Sequence, residues 1–221
     1  AFVVGSYHLL KHNKGKGVMI GHMDDMDPRV VTVIGAGVAG TQSILKAIDN
    51  KALVKVVDSS QSKLDDLKSK YGTENVEYIL SSKDSIQVSV NESDLVIGSV
   101  YVVGKEAPKV VTKDMLSSMN PGTVMVDVSI DQGGCFETSK PTTHDSPTFL
   151  ENEIVHYCVT NMPGAVPLTA TEALNKVSLS YVENLANNGI QNALDSDEHL
   201  RNGLNILDGR IVHPGVKEAL E

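Results

Sequence analysis

Short runs of β-branched and aliphatic residues alternate with amphipathic segments through the middle of the chain. The runs that predict strands occupy residues 30–35, 53–58, 76–80, 94–102, 123–129 and 154–160. Nearly continuous apolar runs are typical of strands buried on both faces, and their alternation with helices is typical of parallel sheets. The pattern therefore predicts an α/β fold, a doubly wound parallel sheet, over residues 30–166.

The segments between these strands predict the helices that cover the sheet. They occupy residues 38–50, 60–72, 82–94 and 113–120. Ser60 is placed to cap the second helix and Gly72 to end it, whereas the many β-branched residues of segment 82–94 give a helix only weak support. The short fourth helix is expected to end at Pro121-Gly122.

The two ends of the chain do not fit the strand–helix alternation. Residues 1–20 predict a helix, a polar turn and a short strand, and residues 169–190 predict a long helix that is followed by a short helix, a turn and a last helix from Pro214. Their apolar faces are expected to need a cover from outside the sheet domain. We therefore divide the chain into a lead-in (1–29), a sheet domain (30–166) and a helical segment (167–221).

Composition and charge exclude several classes of protein. The 221 residues are 41% hydrophobic and 21% charged, with a formal net charge of −9, which disfavours binding to nucleic acids or anionic membranes. No apolar run approaches the ~18 residues of a membrane span, and the first residues lack the basic leader of a signal peptide. Cys135 and Cys158 are expected to be buried, inert thiols in a reduced, cytoplasmic protein.

The histidines and cysteines show no spacing that is typical of a metal site. His144 lies in a "THD" turn and His156 lies within a predicted strand, and both are expected to be structural rather than catalytic. No metal ion is predicted.

The stretch "VTVIGAGVAG" contains the spacing G-x-G-x-x-G at Gly35, Gly37 and Gly40. It follows a predicted strand and opens a predicted helix, which is the context that dinucleotide binding requires. Gly35 would permit the tight turn, Gly37 the close approach of a pyrophosphate, and Gly40 the packing of the helix on the strand. The pattern predicts a dinucleotide site at the start of this helix.

An acidic residue at the end of the second strand completes this fingerprint. Asp58 is placed to accept hydrogen bonds from the ribose hydroxyls and to repel a 2′-phosphate, which favours NAD over NADP. The alternative role for Asp58 is a strand-end cap. Lys63 could accommodate a 2′-phosphate, but behind an acidic residue it is more consistent with a place beside the adenine ribose.

Three further segments follow predicted strands and are rich in glycine or polar residues. They are "GSVYVVG" (98–104), "VSIDQGG" (128–134) and "VTNMPGAVP" (159–167). Ligands of such sheets bind beyond the carboxyl ends of the strands, so these segments are expected to complete the site.

The motifs "VDVSIDQGG", "PTTHDSPTF" and "VHYCVTNMPGAVPLTATEAL" follow "VIGAGVAG" in this order. On these motifs, residues 5–189 closely resemble the bacterial NAD-dependent alanine dehydrogenases. The related proton-translocating transhydrogenases share the fold and the glycines but differ at the loop Ile130-Asp131-Gln132. The resemblance implies the reversible oxidation of L-alanine with NAD to pyruvate and ammonium.

The resemblance also implies roles for individual residues. Asp131 matches the catalytic aspartate of the family; from its residue type alone, it could equally be a turn residue that binds the backbone of Gly133 or Gly134. The NAD contacts implied by the resemblance fall on Val38, Ala39, Asp58, Lys63, Ser81, Val100, Tyr101, Ile130, Lys140, Asn161 and Met162. Asp131 is also expected to contact the cofactor.

In this family a substrate domain precedes the dinucleotide domain, and the chain is expected to be a fragment that lacks it. The expected partners are therefore this missing N-terminal domain, the small substrate L-alanine or pyruvate, and further copies in a homo-oligomer. Two alternatives remain open: a stand-alone NAD-binding or regulatory module without turnover, and an interaction scaffold.

Overall fold

A computed structural model of the chain describes residues 1–21, 23–102 and 106–220. The described residues form two compact units, 1–102 with 106–162 and 163–220. The last two residues of the segment "GSVYVVG", Val103 and Gly104, lie outside the described residues.

The first unit contains a sheet of seven strands. These are β1 (Val30–Ile34), β2 (Leu53–Asp58), β3 (Val76–Leu80), β4 (Leu95–Gly98), β5 (Val124–Asp127), β6 (Thr148–Glu151) and β7 (Ile154–Tyr157). The strand order is β3-β2-β1-β4-β5-β7-β6, and every pair is parallel except β6 with β7. The prediction of a doubly wound parallel sheet is confirmed for six of the seven strands, whereas β6 is antiparallel to β7. Strands β4, β5 and β7 are shorter than predicted.

Strand β6 was not predicted. It forms a hairpin with β7 through Asn152 and Glu153, which both adopt positive φ angles of 49° and 60°. Two consecutive left-handed residues are the mark of a type I′ turn, but Asn-Glu lacks the glycine that usually signals such a turn. The four-residue run "TFLE" is also too short to show the alternation of apolar and polar residues that would have predicted a strand without a turn signal.

Helices cover both faces of the sheet. They are α1 (Phe2–His8), α2 (Val38–Asp49), α3 (Gln61–Tyr71) and α4 (Lys83–Glu92), with a 3-10 helix at Lys113–Ser118. Alternate residues of β1 point to opposite faces, so Val33 packs with Ile44 of α2 in one core and Ile34 packs with Ile86 of α4 in the other.

Helix α4 forms despite its β-branched residues because its start is capped. The Ser82 hydroxyl accepts a hydrogen bond from the Ser85 N–H at 3.0 Å, and the Ser85 hydroxyl accepts one from the Ser82 N–H at 2.8 Å. Ile86 and Val90, one turn apart, are then buried on the sheet. Local capping and tertiary burial outweigh the weak helical propensity.

The N-terminal segment differs from its prediction in two respects. Phe2 and Leu9 are buried in the core of the sheet unit, and a Cβ atom on Gly5 would lie 2.5 Å from Leu95, so this part of α1 is covered by its own unit. Only the opposite face, with Val3 and Tyr7, is exposed. The predicted short strand near residue 20 is absent from the described residues 17–20, which are irregular.

An ion pair ties the segment after α1 to the sheet. Lys16 Nζ lies 3.0 Å from Asp94 Oδ1 and donates to the Ser93 carbonyl at 2.8 Å. The other oxygen of Asp94 accepts from the Val30 N–H at 3.0 Å, at the start of β1. The lead-in therefore belongs to the same compact unit as the sheet.

Two histidines of the sheet unit are buried. His156 lies in β7, where Nε2 is 2.8 Å from the Thr138 hydroxyl and Nδ1 is 3.1 Å from the Ile154 carbonyl, and its ring stacks on Phe149. His8 packs beside Tyr157. Burial lowers the pKa of both histidines, because the charged imidazolium loses its hydration.

We expect acid to destabilise this unit through these histidines. Because the pKa of each histidine is lower in the folded state, the unfolded chain takes up its proton at a higher pH than the folded chain. The contribution of these histidines to the free energy of unfolding is therefore fully present above the unfolded-state pKa, and it is lost as the pH falls towards the folded-state pKa. The melting temperature should decrease from about pH 7.5 to about pH 5.5, the range in which histidine normally titrates. His156→Gln, which cannot titrate, should flatten the decrease, and the exposed His199→Gln is the matched control; equal slopes in all three proteins would contradict the assignment.

Both cysteines are free and buried, as predicted. Burial raises the pKa of the Cys135 thiol well above its usual value and that of Cys158 to about 11. Neither thiol forms the thiolate that nucleophilic chemistry requires near neutral pH.

The second unit is helical. It contains α5 (Pro167–Ser196), α6 (Glu198–Asn202), the two-stranded sheet of β8 (Ile206–Leu207) and β9 (Arg210–Ile211), and α7 (Pro214–Leu220). Gly189 interrupts α5 with non-helical angles (φ 71°, ψ 166°). The predicted turn is a hairpin through Asp208-Gly209, and the apolar positions Leu174 and Val177 of α5 are exposed. No helix in the described part of the chain is both long and apolar enough to cross a bilayer.

Candidate functional site: a dinucleotide pocket

A pocket of about 670 Å³ lies at the carboxyl ends of β2, β1, β4 and β5. Strands β1 and β4 are neighbours in the sheet, and the chain leaves β1 towards one edge and returns through β4 towards the other. Open α/β sheets bind ligands at such a reversal. The lining residues are Gly35, Gly37, Val38, Ala39, Asp58, Ser59, Lys63, Ser99, Val100, Tyr101, Val128, Ser129, Asp131 and Gln132.

The three glycines of the loop have different environments. Gly35 has a φ of +96°, and a Cβ atom there would lie 2.5 Å from the Ser99 carbonyl oxygen. A Cβ atom on Gly40 would lie 1.8 Å from the Gly35 carbonyl oxygen, so α2 packs directly against the turn. A Cβ atom on Gly37 would meet nothing within 4 Å, because this residue faces the pocket. The loop therefore leaves open space where a ligand can approach the backbone.

Helix α2 begins at this loop without a side-chain cap. Its N-cap residue, Gly37, offers no acceptor, whereas Ser60 and Ser82 cap α3 and α4. The N–H groups of the first turn of a helix have no partner inside the helix, and they carry its positive dipole end. Since Gly37, Val38 and Ala39 line the pocket, these groups suit the phosphates of a dinucleotide.

Asp58, the last residue of β2, anchors the glycine loop through its carboxylate. Its Oδ2 accepts from the Ala36 N–H at 2.7 Å, inside the glycine loop, and its Oδ1 accepts from the Ser60 N–H at 2.8 Å. The side chain also lines the pocket. A carboxylate has further lone pairs after these two bonds, so Asp58 can hold the loop and still accept from a ribose hydroxyl.

Asp131 lies on a 3-10 helix, Ile130–Gln132, directly after β5. Its side chain is exposed and lines the pocket. The turn-capping alternative is not observed, because the Gly133 N–H donates to the Ile130 carbonyl at 3.0 Å and the Gly134 N–H donates to the Ser129 carbonyl at 3.0 Å. The carboxylate of Asp131 is thus not needed for the turn.

A buried carboxylate organises the loop that carries Asp131. Asp127, at the end of β5, is fully buried and accepts from the Ser129 N–H at 2.9 Å, the Cys135 N–H at 2.9 Å and the Phe136 N–H at 3.3 Å. The Ser139 hydroxyl also donates to it. These bonds close the loop on both sides of Asp131.

The pocket brings together most of the site residues that the sequence predicted. These are Gly35, Gly37, Val38, Ala39, Asp58, Lys63, Val100, Tyr101 and Asp131. Gly40 lies behind the loop, as its packing role requires. The remaining predicted contacts, which stay predictions, are outside the pocket lining: Ser81, Ile130, Lys140, Asn161 and Met162.

The structure shows what surrounds these outlying residues. Lys140 Nζ lies 4.2 Å from the centre of the Phe149 ring, and the Asn161 carbonyl accepts from His144 Nε2 at 3.2 Å. Ile130 is buried, and Met162 packs against the core.

Five lining residues were not predicted: Ser59, Ser99, Val128, Ser129 and Gln132. Four of them lie in the strand-end segments that the sequence singled out, and the fifth, Ser59, directly follows Asp58. Ser99 has a clear structural task, since its hydroxyl donates to the Gly35 carbonyl at 2.7 Å. The Ser129 hydroxyl donates to the Val100 carbonyl at 2.8 Å, which joins the two loops.

The uncapped helix start, the open glycine loop and the strand-end carboxylate define a Rossmann-type domain for a dinucleotide cofactor. Among the described side chains, no group of three or more metal-ligating residues is assembled. Over residues 1–214 the chain matches the alanine dehydrogenase/PNT C-terminal domain, and it belongs to this family.

Individual relatives agree with this assignment. The chain is 46% identical over 219 residues to an alanine dehydrogenase of Halomonas elongata, an alignment that covers 99% of this chain and 59% of that protein. A solved L-alanine dehydrogenase superposes with a TM-score of 0.89 and 41% identity, over 99% of this chain and 60% of that one. A transhydrogenase from Sinorhizobium meliloti shares the fold, with a TM-score of 0.77 and 21% identity over 96% of this chain and 60% of that one. The chain thus spans about three fifths of the length of these relatives.

Proposed function

We propose that this chain is the NAD-binding part of an alanine dehydrogenase, which converts L-alanine, NAD and water reversibly to pyruvate, ammonium and NADH. The observation that carries the proposal is that one pocket holds the glycine loop, Asp58 and Asp131. The relatives named alanine dehydrogenase support the reaction.

Asp58 supports NAD as the cofactor. Its carboxylate is buried to 8% exposure and lies at the pocket wall, where a 2′-phosphate would meet a negative charge with little water to screen it. Lys63 lines the same end of the pocket. A single cation does not offset both the repulsion and the loss of the ribose hydrogen bond.

We expect NADH to bind at least about 100-fold more tightly than NADPH, which corresponds to about 2.7 kcal/mol. Asp58→Ala should weaken NADH binding and abolish most of this preference, and isothermal titration calorimetry measures both. Asp65→Ala, at an exposed position of α3, is the matched control. Equal affinity of the unchanged chain for the two cofactors would refute NAD specificity.

The chemistry that we propose assigns a proton-handling role to Asp131. A nicotinamide held in this pocket would supply the acceptor for a hydride from the amino-acid Cα. The exposed carboxylate of Asp131 is placed to take a proton from the attacking water and to return one to the leaving ammonia. Asp131 follows β5, and Asp58 ends β2, three strand spacings away in the sheet. The pocket between the two carboxylates is therefore available to the cofactor.

The described pocket lacks a cation for the substrate carboxylate beside Asp131. Lys63 is the one cationic side chain in the described lining, and it follows β2, three strand spacings or about 14 Å from the end of β5. We therefore propose that a separate N-terminal substrate domain supplies the groups that grip the amino acid. The same observation favours the second candidate, an NAD-binding module without turnover.

A reconstitution experiment separates these two functions. We expect this chain alone to form no NADH from L-alanine, and we expect activity when the N-terminal region of an alanine dehydrogenase relative is added. Asp131→Asn should lower the reconstituted rate by about 100-fold or more, as for other general acid–base residues, while NADH binding stays unchanged. Asp145→Asn, at an exposed turn, is the control. NADH binding without activity in any reconstituted mixture would support the binding module.

Two further properties belong to this proposal. The exposed apolar residues of α5, such as Leu174 and Val177, favour assembly into a homo-oligomer. The two free thiols favour a reduced compartment, the cytoplasm.

A further inference from the structure

The side chain of Gln132 carries a buried polar atom that makes no hydrogen bond to the described residues. Its Oε1 is inaccessible to solvent and has no hydrogen-bond partner among the described residues, although the residue lines the pocket. An unsatisfied buried acceptor destabilises the folded chain, so it needs an explanation at the site where it occurs. A rotation of the side-chain amide towards the pocket would let a ligand there provide the missing donor.

The backbone of Gln132, in contrast, is fully engaged. Its N–H donates to the Ser129 carbonyl at 2.9 Å, and its carbonyl accepts from the Ala107 N–H at 2.9 Å. The next residue, Gly133, has a φ of +84°, which ends the 3-10 helix. The side chain therefore projects from a fixed backbone, and only its amide is left to bind something else.

The place of Gln132 in the sheet selects which part of a dinucleotide it meets. Asp58 is the last residue of β2 and Gln132 follows β5, at opposite sides of the four strands whose carboxyl ends line the pocket. With the ribose hydroxyls of the adenosine at Asp58 and the pyrophosphate at Gly37, the nicotinamide lies towards β5. Its carboxamide has N–H donors, whereas the pyrophosphate offers only acceptors.

We propose that Gln132 recognises the nicotinamide carboxamide, with its Oε1 accepting a hydrogen bond from the carboxamide N–H. The proposal rests on the NAD-binding function above and assigns to this residue the task of orienting the nicotinamide ring beside Asp131. Gln132 is thus a specificity residue for the reactive end of the cofactor.

The test compares two ligands that differ at this end only. ADP-ribose keeps the adenosine, the pyrophosphate and the second ribose of NADH but lacks the nicotinamide. In calorimetric titrations of the whole chain, Gln132→Leu should weaken NADH binding by about 10-fold, the cost of one lost hydrogen bond, and leave ADP-ribose binding within about twofold. Gln191→Leu, the same change at an exposed position of α5, should alter neither.

A second measurement separates recognition from structural support. Leucine removes the unsatisfied oxygen and adds apolar surface, so the unliganded Gln132→Leu chain should melt at the same or a higher temperature than the unchanged chain. A residue with a structural task would instead lower the melting temperature.

Each other result overturns the proposal. Unchanged NADH affinity in Gln132→Leu would show that the amide makes no contact with the cofactor. An equal loss of NADH and ADP-ribose binding would assign Gln132 to the second ribose or to the shape of the pocket. If the unchanged chain binds neither ligand, the NAD-binding function fails and the role of Gln132 falls with it; if it binds ADP-ribose and NADH equally in all variants, only the role of Gln132 fails.

Discussion

Replacing Gly40 by alanine is expected to abolish NADH binding and to destabilise the sheet unit by about 3 kcal/mol or more, at the upper end of overpacking effects. The added Cβ would lie 1.8 Å from the Gly35 carbonyl oxygen and 2.6 Å from the Ser99 hydroxyl. The first atom belongs to the glycine loop, and the second donates the hydrogen bond that holds this loop in place. Helix α2 would have to move away from β1 by more than an ångström, which opens the core at Ile44.

The same substitution at Gly37 provides the matched control. Gly37 has an ordinary φ of −73°, and its added Cβ would meet nothing within 4 Å. Gly37→Ala should therefore keep the melting temperature but lower NADH affinity, because the methyl group stands where the pyrophosphate approaches the backbone. Calorimetry gives the NADH affinity of each variant, and thermal unfolding gives its melting temperature.

The pair of variants separates the packing role from the binding role. For Gly40→Ala we expect the melting temperature to fall by roughly 10 °C, the shift that about 3 kcal/mol produces in a domain of this size. A Gly40→Ala chain with unchanged stability and NADH affinity would contradict the close approach of α2 to the turn.

Removal of the buried carboxylate of Asp127 should have an effect of similar size. Asp127→Ala leaves the N–H groups of Ser129, Cys135 and Phe136 without their acceptor in a buried site. Each unsatisfied donor costs about 1–3 kcal/mol, so we expect a loss of about 4 kcal/mol or more in the free energy of unfolding. Urea denaturation followed by circular dichroism measures this loss.

The effect should extend to the pocket, because the loop between Ser129 and Phe136 carries Asp131 and Gln132. Asp127→Asn retains one acceptor oxygen and should lose less stability than Asp127→Ala. Asp145→Ala, at an exposed turn, is the control and should change the unfolding free energy by less than about 0.5 kcal/mol. Stability of Asp127→Ala close to that of the control would show that the loop holds itself without this carboxylate.

The sheet could be predicted from the sequence because its signal is local and repeated. Strands such as β1 and β2 are apolar runs in which Thr32 and Lys55 are the internal polar residues, and the glycine loop stands between a strand and a helix. The pattern of residues and the final structure therefore agree. The start of α4 was harder to predict, because the capping pair Ser82 and Ser85 has to compensate for β-branched residues. Each of these features depends on neighbours in the sequence.

Other features depend on residues that are distant in the sequence. The burial of Phe2 and Leu9 requires the face of the sheet that β4 and β5 form, more than 80 residues later. Asp127 resembles any acidic residue at a strand end until its partners, as far away as Ser139, are folded around it. Gln132 is an ordinary loop glutamine in the sequence, and only the structure shows its buried oxygen.

The bond from the Ala36 N–H to Asp58 has a consequence for how this domain could change its cofactor. In the function proposed above, Asp58 discriminates between cofactors, and the same carboxylate anchors the turn, so it cannot be exchanged without loosening that turn. A route to NADPH that preserves the fold therefore keeps Asp58 and acts through its neighbour Ser59, which is exposed and also lines the pocket. Ser59→Arg would add a second cation to that of Lys63 and leave the anchor intact. Cofactor preference in this domain can therefore change more readily by adding a cation than by replacing Asp58.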